Sequence, residues 1–175
     1  DLETGLINGQ HDLLLTTLPI MSSELIVAPL FREPLKLALA RDHRLADKPI
    51  IKREDLLGEP VLTLSEHHLF HRQITELCEQ VGAPVLRDYE GTSLDTLRQM
   101  VVMGMGVAFL PALYTKSEIR NEEELRVADV EGISVVRNHA LVWRNTSPSS
   151  AFYKQLSEEI KTIIKTLTKK NIGVL

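Results

Sequence analysis

The most regular hydrophobic pattern in the chain lies between Gly91 and Pro111, which read GTSLDTLRQMVVMGMGVAFLP. Apolar residues recur at helical spacing from Leu94 to Val101, so this part predicts an amphipathic helix. Gly104 follows, and glycine takes the left-handed conformation that commonly ends a helix. The apolar run from Val107 to Leu110 predicts a strand buried on both faces. The stretch therefore predicts a helix that leads through a glycine turn into a core strand.

The same alternation of strand-like and helix-like segments continues along the chain and is typical of an α/β protein with mainly parallel sheets. Apolar runs predict strands at 11–17, 24–30, 34–40, 60–64, 85–90, 107–110, 125–130 and 134–142. The strand at 11–17 is predicted to be parallel and buried. Helical spacing predicts long helices at 68–81, 94–103 and 149–168. The inward positions of the last helix are predicted to be Phe152, Leu156, Ile163, Ile164 and Leu167.

Composition narrows the class of protein. The 175 residues are 43% hydrophobic, which is enough for a core, and carry a net charge of −4. Such an acidic balance argues against this chain itself gripping a nucleic-acid backbone. No apolar run is long enough to span a bilayer, and no secretory signal is visible. The single cysteine, Cys78, fits a reducing compartment. The first residue is not methionine, and we expect the chain to be a fragment.

Histidines cluster at the predicted start of the helix at 68–81. His67 and His71 are four residues apart and His68 and His71 three apart, so either pair could share a helix face. A metal would need further ligands from elsewhere, because the segment is not HExxH and no cysteine pair accompanies it. The ordinary interpretation is a polar helix start with surface imidazoles, and no metal site is predicted.

Motifs for catalysis and cofactor binding are missing from the sequence. It contains no GxSxG, no P-loop and no GxGxxG after a strand. Cys78 falls on the apolar face of its predicted helix, and buried cysteines usually act as packing groups. We therefore expect neither an enzyme nor a bound cofactor.

Hydroxyl side chains stand at three places where ligands commonly bind in α/β proteins. Ser65 and the pair Thr92–Ser93 each follow a predicted strand and precede a helix, and Thr16–Thr17 end another strand. A helix N-terminus presents unpaired N–H groups to an anion. Each group alone is most simply a helix cap or a strand end. Together they suggest a cleft for a small polar or anionic ligand.

Three segments resemble the LysR-type transcriptional regulators. They are LINGQHDLLL, PLFREPLKLALARDHRLA and, most specifically, TSLDTLRQMVVMGMGVAFLP. The resemblance implies the effector-binding domain of such a regulator, built as two Rossmann-like α/β subdomains of periplasmic-binding-protein type 2. The first subdomain would combine 1–32 with 137–175 and would lack its N-terminal part, and the second would span 33–136.

Within that family the chain resembles the peroxide-sensing OxyR group. The segment from His68 to Cys78 is similar to that group's redox segment, and EGTSLDTLRQMV is also similar. By this resemblance Cys78 falls at the resolving cysteine, whereas Leu69 takes the place of the peroxide-reactive cysteine. Leucine cannot form a sulfenic acid. We therefore expect an OxyR-like domain without an intrachain disulfide switch.

The resemblance also implies partners and a site. The partners would be a small-molecule effector, a second copy in a homodimer or homotetramer, and DNA, which a winged helix-turn-helix absent from this chain would bind in the cytoplasm. The expected effector-binding residues are Thr16, Thr17, Ser65, His68, Leu69, Thr92 and Ser93. The alternative function is a periplasmic-type solute-binding receptor of the same architecture.

Overall fold

The computed structural model describes residues 2–65, 69–119, 124–167 and 173–174. The chain divides into two compact units, the first formed by residues 1–34 and 136–175 and the second by residues 35–135. The resemblance implied crossings after residues 32 and 136.

The helices and strands follow one another in a mixed α/β order. They are α1 (Leu2–Ile7), β1 (Leu14–Thr17), β2 (Leu25–Ala40), β3 (Ile51–Lys52), a 3-10 turn (Arg53–Leu56), β4 (Val61–Leu64), α2 (Leu69–Val81), β5 (Val85–Gly91), α3 (Leu94–Val102), β6 (Val107–Pro111), α4 (Ala112–Glu118), β7 (Leu125–Ala128), β8 (Val130–Glu131), β9 (Val136–Arg144), α5 (Ser150–Leu167) and β10 (Gly173–Val174).

The sheet of the first unit is antiparallel. β9 lies between β1 and β2 and runs antiparallel to both, and β10 is antiparallel to β2. The prediction of a parallel, buried strand at 11–17 was therefore wrong: β1 pairs only with β9 among the described strands, and Leu15 is 62% exposed. An apolar run does not by itself distinguish a central strand from an edge strand.

One long strand, β2, replaces the two strands predicted at 24–30 and 34–40. Its pairing with β9 shifts register between Pro29 and Phe31 and then continues through Pro34 to Val136. The polar residues Arg32 and Glu33 suggested a connecting loop. They remain in the strand because the backbone ladder of β9 runs alongside them.

Helix α5 packs on the sheet of the first unit with a face that only partly matches the predicted one: Leu156 and Ile164 point inward as predicted, and the side chain of Leu167 lies outside the described part of the chain. Tyr153, Leu156, Ile160 and Ile164 pack against the buried Leu141 and Trp143 of β9. Phe152 and Ile163, both predicted to point inward, are 61% and 54% exposed. Two apolar stripes of helical spacing overlap in this sequence, and contact with β9 selects one of them.

The sheet of the second unit has the order β7-β2-β6-β4-β5. β4 is parallel to β5 and to β6, whereas β2 is antiparallel to β6 and β7. Gly106 lets β6 approach β4 closely, because a Cβ there would lie 2.8 Å from the carbonyl oxygen of Pro60. The expectation of parallel strands therefore holds for this part of the second unit.

The helices of the second unit cover this sheet with the faces that the sequence predicts. Phe70, Ile74, Leu77, Cys78 and Val81 of α2 are buried in the core, together with Leu97 and Val101 of α3. Helix α3 ends at a glycine turn in which Gly104 has a φ of +73°. The two helices therefore start at the carboxyl ends of β4 and β5 and pack along the sheet.

Candidate functional site

Ser65 and Thr92 each come directly after the last residue of a strand, and the two strands are neighbours in the sheet of the second unit. Leu64, the last residue of β4, pairs with Gly91, the last residue of β5. The backbone N–H of Ser65 donates a hydrogen bond to the carbonyl oxygen of Gly91 at 3.3 Å. The two hydroxyl-bearing residues thus lie side by side at one edge of the sheet, where ligands of α/β proteins bind.

Ser93 forms the N-terminal cap of α3. Its Oγ accepts a hydrogen bond from the backbone N–H of Thr96 at 3.2 Å and lies 3.1 Å from the Oγ1 of Thr96. Thr92 makes a weaker contact, with its Oγ1 3.5 Å from that of Thr96. Asp95 adds negative charge in the first turn of the helix. The hydroxyl of Ser93 is therefore engaged by its own helix, whereas that of Thr92 is nearly free to contact a ligand.

Tyr114 of α4 braces the same end of α3. Its hydroxyl donates a hydrogen bond to Oδ1 of Asp95 at 2.7 Å. Burial raises the pKa of Tyr114 to about 12, and the bond to the Asp95 carboxylate adds to this increase. The phenol is therefore neutral at physiological pH, and it holds the first turn of α3 as a hydrogen-bond donor.

Helix α2 begins beside β4 at Leu69. The Nδ1 of His71 lies 2.8 Å from the carbonyl oxygen of Leu64. Only a protonated Nδ1 can donate to a carbonyl, so this bond fixes the tautomer of a neutral imidazole. His67 and His68 and the side chain of Leu69 lie outside the described part of the chain. Within that part, no three His, Cys, Asp or Glu side chains are placed to share a metal ion.

Thr63 is a polar residue at this edge that the sequence analysis missed. Its side chain is fully buried, and its Oγ1 has no hydrogen-bond partner among the described residues. Side chains two positions apart on a strand point to the same face, so Thr63 shares its face of β4 with Ser65. An unpaired buried hydroxyl is uncommon and calls for an explanation such as a bound group. No sequence signal marked it, because threonine is an ordinary strand residue.

Thr16 and Thr17 lie in the first unit, at the end of β1. Thr16 pairs with Ala140 and Thr17 with His139. Consecutive strand residues point to opposite faces, so Thr16 lies on the face with Leu14, and Thr17 on the face covered by α5. Both side chains are half-buried.

A buried ionic cluster lies near His139 in the first unit and was also missed. The Oε2 of Glu33 is 2.7 Å from Nε2 of His139 and 3.8 Å from Nη1 of Arg137. Phe31 stacks on the imidazole with 4.5 Å between ring centroids. Burial lowers the pKa of Arg137, and the charge of Glu33 opposes that change. Nothing in the sequence marked this cluster, because Glu33 falls between two predicted strands, where it suggested a connecting loop.

Cys78 is 1% exposed on the inward face of α2. Burial, together with the nearby charge of Glu79, raises the pKa of its thiol to about 12. A thiol with such a pKa is protonated at physiological pH and is therefore a poor nucleophile. Cys78 is also the single cysteine of these 175 residues, so a disulfide between two of them cannot form.

Comparisons with known proteins agree on one family. The family model described as LysR substrate binding domain matches residues 1–163. The chain is 35% identical over 154 residues to the "Hydrogen peroxide-inducible genes activator" of Pectobacterium carotovorum subsp. carotovorum, covering 88% of this chain and 51% of the relative. It is 34% identical to the "DNA-binding transcriptional dual regulator OxyR" of Escherichia coli K12, over 88% of this chain and 50% of the relative.

Solved structures show the same likeness. A crystal structure of the oxidized form of OxyR is 33% identical and superposes with a TM-score of 0.81, covering 95% of this chain and 78% of that one. The chain spans about half the length of the curated relatives it matches. These relatives are named as transcriptional regulators, which favours the regulatory interpretation over the solute-binding receptor.

Proposed function

Because the chain belongs to the LysR substrate-binding domain family, we propose that its small-molecule effector binds at the carboxyl ends of β4 and β5. The domain is an effector-sensing regulatory domain. The longer protein of which it forms part would be a bacterial LysR-type transcriptional regulator, and binding of the effector would control transcription.

The observation that carries this proposal is the unpaired hydroxyl of Thr63. The hydroxyl is fully buried and lacks a partner within the described residues. Thr63 lies two positions before Ser65 in the chain. A ligand oxygen bound beside Ser65 and Thr92 would give this hydroxyl a hydrogen bond, and relieving an unsatisfied buried group is favourable. The start of α3 adds backbone N–H groups, which suit a small anion or a polar metabolite.

The effector would not act through a disulfide within the chain. Peroxide sensing by cysteine needs a thiolate and a second thiol, whereas Cys78 is buried and is the one cysteine present. The two relatives described above carry names that refer to hydrogen peroxide or to OxyR. We do not propose hydrogen peroxide as the effector of this chain. We propose instead an effector that binds noncovalently.

The remaining assignments complete the proposal. His68, Leu69, Thr16 and Thr17 stay predicted effector-binding residues. The effector must bind one conformation of the domain more tightly than another, since only differential affinity shifts an equilibrium. The regulator would work in the cytoplasm as a homodimer or homotetramer, with DNA bound by another part of the protein, and the chain would have no catalytic role. None of the described helices is long and apolar enough to cross a membrane.

Binding of small anions to the purified protein tests the proposal. Sulfate, acetate, malonate and benzoate would be titrated at constant ionic strength, with thermal stability and backbone amide NMR shifts as readouts. We expect at least one of them to raise the melting temperature and to shift the amides of Ser65 and of residues 91–96. Thr63→Val should weaken this binding about tenfold by removing one hydrogen bond to a charged group, without lowering the stability of the free protein.

Ser134→Ala is the matched control for Ser65→Ala, because Ser134 is exposed in the same unit. The control should bind the anion like the unchanged protein, whereas Ser65→Ala should bind it more weakly. The site assignment fails if no anion saturates these amides, or if Thr63→Val and Ser65→Ala bind as tightly as the control.

A further inference from the structure

A concave site lies in the second unit, away from the ends of β4 and β5. It has a volume of about 290 Å³, and Arg41, Lys116 and Arg126 line it together with Thr115. We call it the cationic pocket. It forms where the chain leaves β2, where α4 approaches its last turn and where β7 begins. Three separate segments thus bring three positive side chains to one depression.

The guanidinium of Arg126 is held in place by the loop that follows β2. Its Nη1 donates to the carbonyl oxygen of Leu45 at 3.0 Å and also to that of Ala46. These bonds use one nitrogen, and no described residue engages Nε or Nη2. A planar guanidinium with a fixed plane and unused N–H groups is suited to bind two oxygens of one anion.

The charge of the cationic pocket is not neutralised by its own lining. The other cations of this region are paired: Lys36 with Asp129, Arg44 with Glu59 and Lys48 with Asp55. Arg41, Lys116 and Arg126 form no ion pair within the described residues, and none of the described residues that line the pocket is a carboxylate. The C-terminal end of α4 contributes roughly half a negative charge, which three cations outweigh. The chain as a whole has a net charge of −4, so this local excess is not part of a generally basic surface.

We propose that the cationic pocket binds a small multivalent anion that carries a phosphoryl group. A phosphoryl group offers several oxygens to the guanidinium of Arg126. The exposed side chains of Arg41 and Lys116 can bind the remaining oxygens. The volume of about 290 Å³ is at the lower end of the range for ligand sites. It therefore fits a phosphate or a short phosphorylated metabolite. This site is independent of the effector site proposed above.

Calorimetric and NMR titration with inorganic phosphate and with pyrophosphate tests the site. Ionic strength would be held constant with sodium chloride, so that general screening is the same in each sample. We expect saturable binding with shifts in the amides of Thr115, Lys116 and Arg126. The double variant Arg41→Gln/Lys116→Gln changes two exposed side chains and should weaken binding tenfold or more, since each charge-assisted bond contributes substantially.

Lys154→Gln/Lys165→Gln removes the same number of charges from α5 in the first unit and is the matched control. It should bind phosphate within about twofold of the unchanged protein, because neither lysine lines the cationic pocket. Absence of saturable binding by the unchanged protein overturns the proposal. So does binding that the control variant weakens as much as the pocket variant, or that the pocket variant leaves unchanged.

Discussion

His139 Nε2 lies 2.7 Å from the Oε2 of Glu33, although 106 positions separate the two residues in the chain. The contact joins β9 to β2 on the sheet face that α5 covers. Glu33 is 3% exposed and also faces Arg137. A buried carboxylate is costly unless charged or hydrogen-bonded partners surround it. Strand β9 supplies these partners to Glu33 of β2 through His139 and Arg137.

Glu33→Gln should therefore lower the free energy of unfolding by about 3 kcal/mol, because removing one partner of a buried ion pair leaves the other charges desolvated. Urea denaturation monitored by circular dichroism measures the change. Glu131→Gln is the control, since Glu131 is exposed, and it should change stability by less than about 0.5 kcal/mol. Equal effects of both substitutions would mean that the buried Glu33 contributes no more to the free energy of unfolding than the exposed Glu131.

Ser93→Ala should destabilise the protein by about 1 kcal/mol, because it removes the cap that accepts from the N–H of Thr96. Thr92→Ala removes only a long contact of 3.5 Å and should cost less than half as much. A melting-temperature difference between these neighbouring variants measures the cap directly. If the two variants melt together, Ser93 is not the residue that stabilises the start of α3.

Cys78 should react with thiol reagents only when the protein opens. Its pKa is raised to about 12 by burial, so almost no thiolate exists at pH 8, and the reagent cannot reach it. We expect the labelling rate to rise steeply with urea and to follow the unfolding curve, and hydrogen peroxide to leave the thiol of Cys78 unmodified in the folded protein. Rapid labelling of the folded protein at pH 8 would contradict this.

Because the raised pKa favours the neutral thiol, this residue destabilises the folded state as pH increases from about 9 toward 12.

Asp55 should make the stability of the second unit depend on pH in the acidic range. The side-chain hydrogen bond from Lys48 and the backbone N–H of Lys52 lower its pKa in the folded protein. A carboxyl group with a lowered folded pKa stabilises the protein above its unfolded pKa, and that contribution disappears as pH falls through the folded pKa. Asp55→Asn should therefore be less stable than the unchanged protein at pH 6, and the difference should shrink below about pH 4. Asp47→Asn, at an exposed position, should show no such convergence.

The local pattern of the sequence was enough to predict helices α2 and α3 of the second unit and their inward faces. The apolar spacing in α2 and α3 is continuous, and caps and glycines mark their ends, so short-range physics decides where these helices lie. The same reasoning placed Ser65 and Thr92 at strand ends, which the parallel pairing of β4 and β5 then brought side by side. For α5 the prediction was correct for Leu156 and Ile164 but wrong for Phe152 and Ile163, which are exposed, because two apolar stripes overlap in that helix.

By itself, then, the sequence determined the class of fold, the helix starts that offer hydroxyls and the lack of a second thiol. Only the tertiary structure decided that β2 is one strand, that β1 is antiparallel, that Glu33 meets His139, and that Arg41, Lys116 and Arg126 share a pocket. The physical reason is range. Burial periodicity and capping depend on residues a few positions apart, whereas strand pairing and the convergence of charges depend on segments distant in the chain, whose partners no local pattern records.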